Sequence, residues 1–367
     1  MARPHLGQPV RLWLVAPLLA ALLIFVPVPP QVVDRWYSQG AYPYIQDALT
    51  AVSNLVPFAV LDALIAGAVV LVLFRLMYGV LRALTGHPLA ALSELLRRTV
   101  RGVSLVLILF LLCWGMNYRR LPLESALGER PVDPITVATL EQAVVEANRL
   151  AGRIRPASAL NRDVPYPELA QRLFGPMNDA LRALHRAPLS RAGVPKSSLL
   201  LTPYFSWAGI NGMIDPLVLE SIVQPDLVPA ERAFVLAHEW AHLAGQADEA
   251  DASAVGWLAC MHGDPTLAYS ASVYLVMEAG SALPPADWKR VSAKLDGGVR
   301  ADLVRIAQRM QQQKPRVQQA ATRVYDGYLR ANRVPDGTAS YGRALTLILR
   351  APLRDALTTY TAPRATR

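Results

Sequence analysis

Cysteine is scarce in this chain of 367 residues, which contains only Cys113 and Cys260. Two distant cysteines give no disulfide framework and no cysteine-based metal site. Charged residues are also few, at 18%, and the formal net charge of +9 comes from arginines scattered along the chain. Because no dense Lys/Arg block alternates with aromatic residues, the composition argues against a nucleic-acid-binding surface.

Apolar residues are abundant instead, at 53% of the chain, with a mean hydropathy of +0.24. Crossing a bilayer takes roughly 20 apolar residues in a helix, and at least about 17. Three apolar runs approach this length, so we predict transmembrane helices at about residues 12–29, 56–74 and 103–118. The first run resembles a signal peptide, but no small-x-small cleavage site follows it, which favours an uncleaved anchor.

Arginines beside these runs predict their orientation. The loop 75–102 carries five arginines, and Arg3 and Arg11 precede the first run, whereas the loop between the first two runs has only Arg35. Positive charge is retained in the cytoplasm. We therefore expect a multi-pass protein of the cytoplasmic membrane, with the lipid bilayer as a partner. Its amino terminus and loop 75–102 would be cytoplasmic, and residues 119–367 would form one extracytoplasmic domain.

Most of that domain has helical periodicity. Residues 197–216 differ, because short apolar runs alternate with aromatic residues and Gly209, Asn211 and Gly212 favour turns. This segment predicts one or two strands with a tight turn. A helix led by Pro229 follows it. The expected fold is a membrane α-helical region of three spans, followed by a mainly α, α+β domain with a small antiparallel sheet.

The helix led by Pro229 carries the first part of the sequence "VLAHEWAHLAGQADEADAS", residues 235–253. His238, Glu239 and His242 form an H-E-x-x-H motif, in which residues four apart share a helix face and both imidazoles can bind one metal ion. Glu239 would reach a metal-bound water as general base and pass its proton to the leaving amine. The motif predicts a zinc hydrolase with Zn²⁺ as cofactor. The alternative is an ordinary helix that carries two histidines.

A catalytic zinc ion usually has three protein ligands and a water. Glu249 is the predicted third ligand, Asp248 is its rival, and Asp251 and His262 are more remote candidates. Gly245 can end the first helix in a left-handed conformation and turn the chain back towards the metal. The charged flanks of the motif argue against a protease site inside the bilayer.

Two further features bear on catalysis. The text "YFSWAGINGMI" is either an edge strand to which a peptide substrate adds, or a core hairpin. A donor is also needed for the developing oxyanion. The carboxyl-terminal text offers Tyr325, Tyr328, Tyr341 and Arg343, of which we select Tyr341 as a catalytic residue because it lies in a glycine-flanked loop.

Three stretches, "CWGMNYRRLPL", "AHEWAHLAGQADEADAS" and "YDGYLRANRVPDGTASYGR", resemble a bacterial membrane-protein family catalogued as domain of unknown function number 3810. That family has membrane helices followed by an H-E-x-x-H domain. The acidic stretch is also similar to the E-x-x-x-D of gluzincin peptidases, where the glutamate binds zinc. Glu249 stands at that glutamate, and Ser253 stands where those peptidases have aspartate. The resemblance implies a zincin-like peptidase site and names no substrate.

The sequence as a whole predicts a membrane-anchored zinc metallopeptidase that acts on a peptide or protein. His238, His242 and Glu249 would bind zinc, with Glu239 as the base. The alternative is a non-enzymatic envelope protein whose structural or vestigial zinc site belongs to a binding module. An open coordination position would separate the two, since structural sites are closed by four protein ligands.

Overall fold

Helices make up most of the chain in a computed structural model that describes residues 14–86, 88–128, 135–158, 164–335, 337–350 and 353–361. An amino-terminal group comprises α1 (Val15–Phe25), α2 (Pro30–Val32), a π-helical stretch (Val33–Ala41), α3 (Tyr42–Ser53), α4 (Val60–Leu84) and α5 (Pro88–Cys113). The second group comprises α6 (Val137–Ile154), α7 (Tyr166–Ala183), α8 (Thr202–Ala208), α9 (Pro229–Leu243), α10 (Glu249–Met261), α11 (Pro265–Ser281), α12 (Pro285–Ser292), α13 (Gly297–Met310), α14 (Pro315–Ala331), α15 (Tyr341–Ile348) and α16 (Leu353–Thr359).

One or two helices in the described ranges could cross a membrane. α4 has the length and hydropathy for it and has no buried residue. Taken together, α1 and the helix Pro30–Ser53 also have the length and hydropathy of a membrane span, but they are bent by 108° at their junction. The predicted third span, residues 103–118, overlaps the end of α5, which stops at Cys113, and a 3-10 helix (Gly115–Arg119) follows. Arg97, Arg98 and Arg101 precede the apolar half of α5 and shorten its uninterrupted apolar stretch. The start of the first predicted span lies outside the described residues.

The segment between the first two predicted spans is a helix, although the sequence suggested a loop. α2, the π-helical stretch and α3 run continuously from Pro30 to Ser53, and we call them the α2–α3 segment. Pro30 begins it at a position where a missing N–H costs no helical bond. Polar side chains on one face of the segment form hydrogen bonds with the second group, and these bonds stabilise the helix.

Three helices of the amino-terminal group meet the second group at one end. The Ile24 carbonyl, in α1, accepts from Nη2 of Arg333, just after α14, at 3.0 Å. The Glu220 carboxylate accepts from the first backbone N–H groups of α4, including that of Leu61 at 2.8 Å. α5 packs against both α1 and α4, and its last turn continues into Trp114. The α4–α5 connection therefore lies at the end far from the second group.

The core of the second group surrounds α9. This helix packs against α7, α10 and α11, and the largest fully buried side chains include Trp240 on α9 and Trp257 on α10. α9 and α10 approach closely at Gly256, where a Cβ atom would lie 2.8 Å from the backbone nitrogen of His238. Only glycine allows that spacing, which places the two helices carrying the H-E-x-x-H motif and the following acids side by side.

A small antiparallel sheet lies beside α9. β1 (Gly212–Asp215) pairs with β2 (Glu220–Val223), with Gly212 opposite Val223. Lys196 forms a parallel bridge to Ile222 on the other side of β2, so β1 is an edge strand within the described residues.

The sequence prediction of strands over 197–216 is wrong for its first half. Thr202–Ala208 is the helix α8. Phe205 and Ala208, three residues apart, are buried on one face of this helix, and Phe205 packs with Ala59 and Ile222. Gly209, at φ 75°, ends the helix in the left-handed conformation that glycine adopts most easily. Burial of one helical face therefore outweighs the local preference of the aromatic residues for strands.

Candidate metal centre

His238 and His242 project from the same face of α9. Pro229 begins this helix, and the Glu231 side chain accepts the Val228 N–H at 3.0 Å, which caps its first turn. The two Nε2 atoms, one helical turn apart, lie 3.1 Å from each other. The H-E-x-x-H spacing thus produces the convergence of imidazoles that the sequence predicts.

Glu249 completes the cluster from the start of α10. α9 ends before Gly245, whose φ of 82° turns the chain, and Asp248 caps α10 by accepting from Ala250 N at 2.9 Å. Glu249 Oε2 then lies 3.2 Å from His238 Nε2 and 3.3 Å from His242 Nε2. Ligand atoms bound tetrahedrally to zinc at about 2.0–2.1 Å lie about 3.3 Å apart, so the three atoms have the spacing of a zinc site.

The three side chains of the cluster are largely buried. Burial and the charges of the neighbouring groups together set their protonation states. Burial lowers the pKa of His238. Burial also acts to lower the pKa of His242, but the Glu249 carboxylate outweighs it and raises that pKa to about 9. Burial opposes ionisation of Glu249, yet the two histidines hold its pKa well below the usual range. A buried carboxylate facing two imidazoles is thus paired with one positive charge, which a bound cation can replace.

Each candidate ligand has a further partner that orients it. The Nδ1 of His242 lies 2.7 Å from the Gln246 carbonyl oxygen, and the Nδ1 of His238 lies 3.2 Å from Ser253 Oγ. The Tyr325 hydroxyl donates to Glu249 Oε1. The carbonyl contact requires a proton on His242 Nδ1, which leaves Nε2 of the neutral ring free for a metal, and contacts of this kind tune ligand affinity. Ser253 is thus a side-chain partner of the His238 ring.

Glu239 lies beside the cluster and against the edge strand. A Cβ atom at Gly212 would lie 2.6 Å from Glu239 Oε1, so glycine at this position of β1 makes room for the carboxylate. Glu239 is 4% exposed, and its Oε2 has no hydrogen-bond partner among the described residues. Burial raises the pKa of Glu239 to about 8. The group can therefore take up and release a proton near neutral pH.

Comparison with known proteins gives one family. Residues 37–349 match the family described as Protein of unknown function (DUF3810). The chain belongs to this family. No curated protein matches the chain, and no solved structure matches it. The DUF3810 match includes the α2–α3 segment from Tyr37, helices α4 and α5, the edge strand and the metal cluster.

The other acidic and histidine candidates have different roles in this DUF3810 member. Asp248 caps α10 and accepts from Arg343 Nη2 at 2.6 Å. Asp251 accepts the Leu123 backbone N–H at 3.0 Å. His262 follows the carboxyl end of α10, whereas Glu249 is at its amino end. In the described chain, the residues that converge in a metal-type group are His238, His242 and Glu249.

The oxyanion candidates are separated by the fold. The Tyr341 side chain lies outside the described part of the structure. Tyr325, on α14, contacts Glu249, and its ring stacks on Tyr328 with the centroids 5.8 Å apart. Arg343 contacts Asp248 rather than the cluster. Tyr325 is thus the candidate that the described structure brings to the site.

Several supporting residues carry no motif in the sequence. Gly212 and the Gln246 carbonyl act through backbone position, and Trp114 donates from Nε1 to the His242 carbonyl at 3.1 Å. The roles of Gly212 and Trp114 depend on contacts between residues distant in the chain. Only the glycine pair around Asn211 hinted at a close approach of backbone, since a glycine inside a strand often marks one.

Proposed function

We propose that this protein is a membrane-anchored zinc metallopeptidase with a zincin-like extracytoplasmic domain. The observation that carries the proposal is the convergence of three ligand atoms within 3.1–3.3 Å of one another beside a buried glutamate. Three protein donors leave a fourth tetrahedral position open, which is typical of catalytic rather than structural zinc. A structural zinc site, one form of the non-enzymatic alternative, requires a fourth protein ligand, and no fourth His, Cys, Asp or Glu joins the cluster in the described ranges.

Glu239 would perform the proton transfers of peptide hydrolysis. Zinc held by His238, His242 and Glu249 would polarise the scissile carbonyl and acidify the attacking water. Glu239 Oε2 would take the proton of that water and deliver it to the leaving nitrogen. The raised pKa of Glu239, about 8, suits a group that alternates between both protonation states near neutral pH.

The edge strand β1 would hold the substrate. Its outer edge is unpaired within the described residues, so an extended peptide can add to it through backbone hydrogen bonds. Gly212 brings that edge against Glu239. Tyr325 reaches the cluster from α14, on the adjoining side. Strand, base and metal ligands thus surround one position where a peptide carbonyl can be placed.

The anchoring proposal is that α1, α4 and α5 cross the bilayer. α4 exposes apolar side chains along its length, including Val70 at 66%, and α5 packs against both α1 and α4. All three meet the second group at the same end, and the arginines of residues 75–101 lie towards the other end. Arginines at that end predict that it is cytoplasmic, so the metal cluster would lie outside the cell.

Metal content tests the ligand set first. The purified full chain should bind about one zinc ion, as catalytic sites do, and should lose it in His242→Ala and Glu249→Ala. Asp248→Asn is the matched control, because Asp248 precedes Glu249 but caps the helix, and it should keep zinc. Zinc loss in Asp248→Asn together with retention in Glu249→Ala would overturn the ligand assignment.

Glu239→Gln tests the mechanism. Glutamine keeps the size of the side chain but cannot take up a proton, so the variant should keep zinc and lose hydrolysis of a fluorogenic peptide library. A zinc-loaded variant as active as the wild type would refute the role of Glu239. A zinc-loaded wild type that cleaves no peptide would favour the non-enzymatic binding module.

A further inference from the structure

The α2–α3 segment has its polar face turned inwards. Asp34, Ser38, Gln46 and Thr50, spaced by four or eight residues, are each at most 6% exposed. Ser38 Oγ donates to Asn117 Oδ1 at 2.8 Å, and Thr50 Oγ1 donates to the Leu219 carbonyl at 2.8 Å. Asp34 is paired with Arg120 and Arg186, both buried. These polar contacts attach the segment firmly to the second group of helices.

The opposite face of the segment is apolar and exposed. Val32 is 44% exposed, Trp36 69%, Tyr44 79% and Val52 62%. Ala48, between Tyr44 and Val52, is exposed as well. We call these five residues the outward stripe. A helix at the surface of a soluble protein has the reverse arrangement, with its polar face towards water. A continuous apolar face of this kind marks an interaction surface.

The ends of the segment indicate what covers the outward stripe. The segment joins α1, from which it is bent by 108°, to α4, the helix that is long and apolar enough to cross a membrane. A helix that turns by about a right angle between two spans runs along the bilayer surface. Trp and Tyr favour this interface, and Arg35, whose guanidinium lies 5.5 Å from the centre of the Trp36 ring, can reach lipid phosphates.

We propose that the α2–α3 segment lies in the plane of the outer bilayer interface, with the outward stripe in the lipid. This inference rests on the membrane anchoring proposed above. This placement of the segment also sets the distance between the bilayer and the candidate metal cluster. The Tyr42 hydroxyl, on the inner side of the segment, donates to the Leu243 carbonyl at the end of α9 at 2.9 Å. The metal-bearing helix thus lies about one helix diameter, ~10–12 Å, above the lipid. At this distance from the lipid, the site would favour polypeptide segments that are held at the membrane surface as substrates.

Spin labels on the full chain in nanodiscs of phosphatidylcholine and phosphatidylglycerol test the inference. The native thiols are first replaced by Cys113→Ser and Cys260→Ala, and single variants Tyr44→Cys and Val52→Cys place labels on the outward stripe. Val145→Cys is the matched control, since Val145 is similarly exposed, at 54%, but lies on α6 in the second group. Val70→Cys reports on the span α4. Unchanged zinc content shows that each variant is folded.

Relaxation of the labels by oxygen, which partitions into lipid, is compared with relaxation by a water-soluble nickel chelate. We expect labels at positions 44 and 52 to show an oxygen-to-nickel ratio several-fold above that at position 145. If the labels at positions 44 and 52 show the same ratio as position 145, while the label at position 70 shows contact with lipid, the inference is wrong. Protection from both reagents would mean that protein covers the stripe, which also overturns it. Nickel access at position 70 would refute the membrane anchoring itself, and the inference with it.

Discussion

Replacing Gly256 by alanine should separate the two helices that carry the candidate metal ligands. The new Cβ would lie 2.8 Å from the His238 nitrogen and 3.0 Å from the Ala237 carbonyl carbon. Non-bonded heavy atoms prefer about 3.5–4.0 Å, so α9 and α10 must move apart by roughly 0.5–1 Å. Overpacking of this kind costs about 1–3 kcal/mol, and the better helix propensity of alanine offsets up to about 1 kcal/mol. We expect a net loss of roughly 1–2 kcal/mol.

The same displacement should weaken zinc binding, because His238 lies on α9 and Glu249 on α10. Their ligand atoms are 3.2 Å apart, and tetrahedral zinc tolerates little change in that distance. Thermal unfolding of the metal-free protein and competition with a chromophoric chelator measure the two effects. Gly327→Ala is the matched control, since a Cβ at this position of α14 meets nothing within 4 Å. If Gly256→Ala matches the wild type in melting temperature and zinc affinity, the α9–α10 contact does not position the ligands.

Three more predictions follow from the contacts around the cluster. Tyr325→Phe removes the hydrogen bond to Glu249 and should lower zinc affinity by about 10–100-fold, whereas Tyr328→Phe should not; equal affinities in both variants would contradict this role. Ser253→Ala should weaken zinc binding in the same range by releasing the His238 ring, and rescue by Ser253→Thr would show that the hydroxyl acts. The metal-free protein should lose stability as pH rises from the ordinary His pKa of 6.5 to about 9, because His242 has a raised pKa in the folded state and its contribution disappears as it deprotonates. Glu239, whose folded pKa is about 8, acts in the same direction up to that pH. A melting temperature that rises over this interval would refute the pairing of His242 with Glu249.

The convergence of His238, His242 and Glu249 could be predicted from local sequence, because local geometry creates most of it. The i, i+4 spacing puts His238 and His242 on one face of any α-helix. Gly245 and the capping residue Asp248 then reverse the chain within a few residues, so Glu249 arrives from the next helix without help from distant segments. The family resemblance rested on three short stretches, one of which carries these side chains, and the match over residues 37–349 confirms it.

Other features depended on contacts that the sequence does not reveal. Aromatic residues in Thr202–Ala208 favour strands locally, yet burial of Phe205 against Ala59 made the segment a helix. Residues 34 to 50 belong to a segment that the sequence suggested was a loop, whereas in the structure it is a helix whose polar face forms hydrogen bonds to Asn117 and Leu219. Among the oxyanion candidates the sequence favoured Tyr341, whose side chain lies outside the described residues, and only packing shows that Tyr325 reaches Glu249.

The sequence by itself thus determined which side chains can converge, two imidazoles and a carboxylate on consecutive helices, and it contains an apolar run long enough for a bilayer. The tertiary structure decided how those side chains are supported. Gly212 lets an edge strand meet Glu239, Gly256 lets two helices meet, and Ser253 serves as a histidine partner. The physical reason is that these contacts join residues far apart in the chain, whose distances are set by the packing of the whole core.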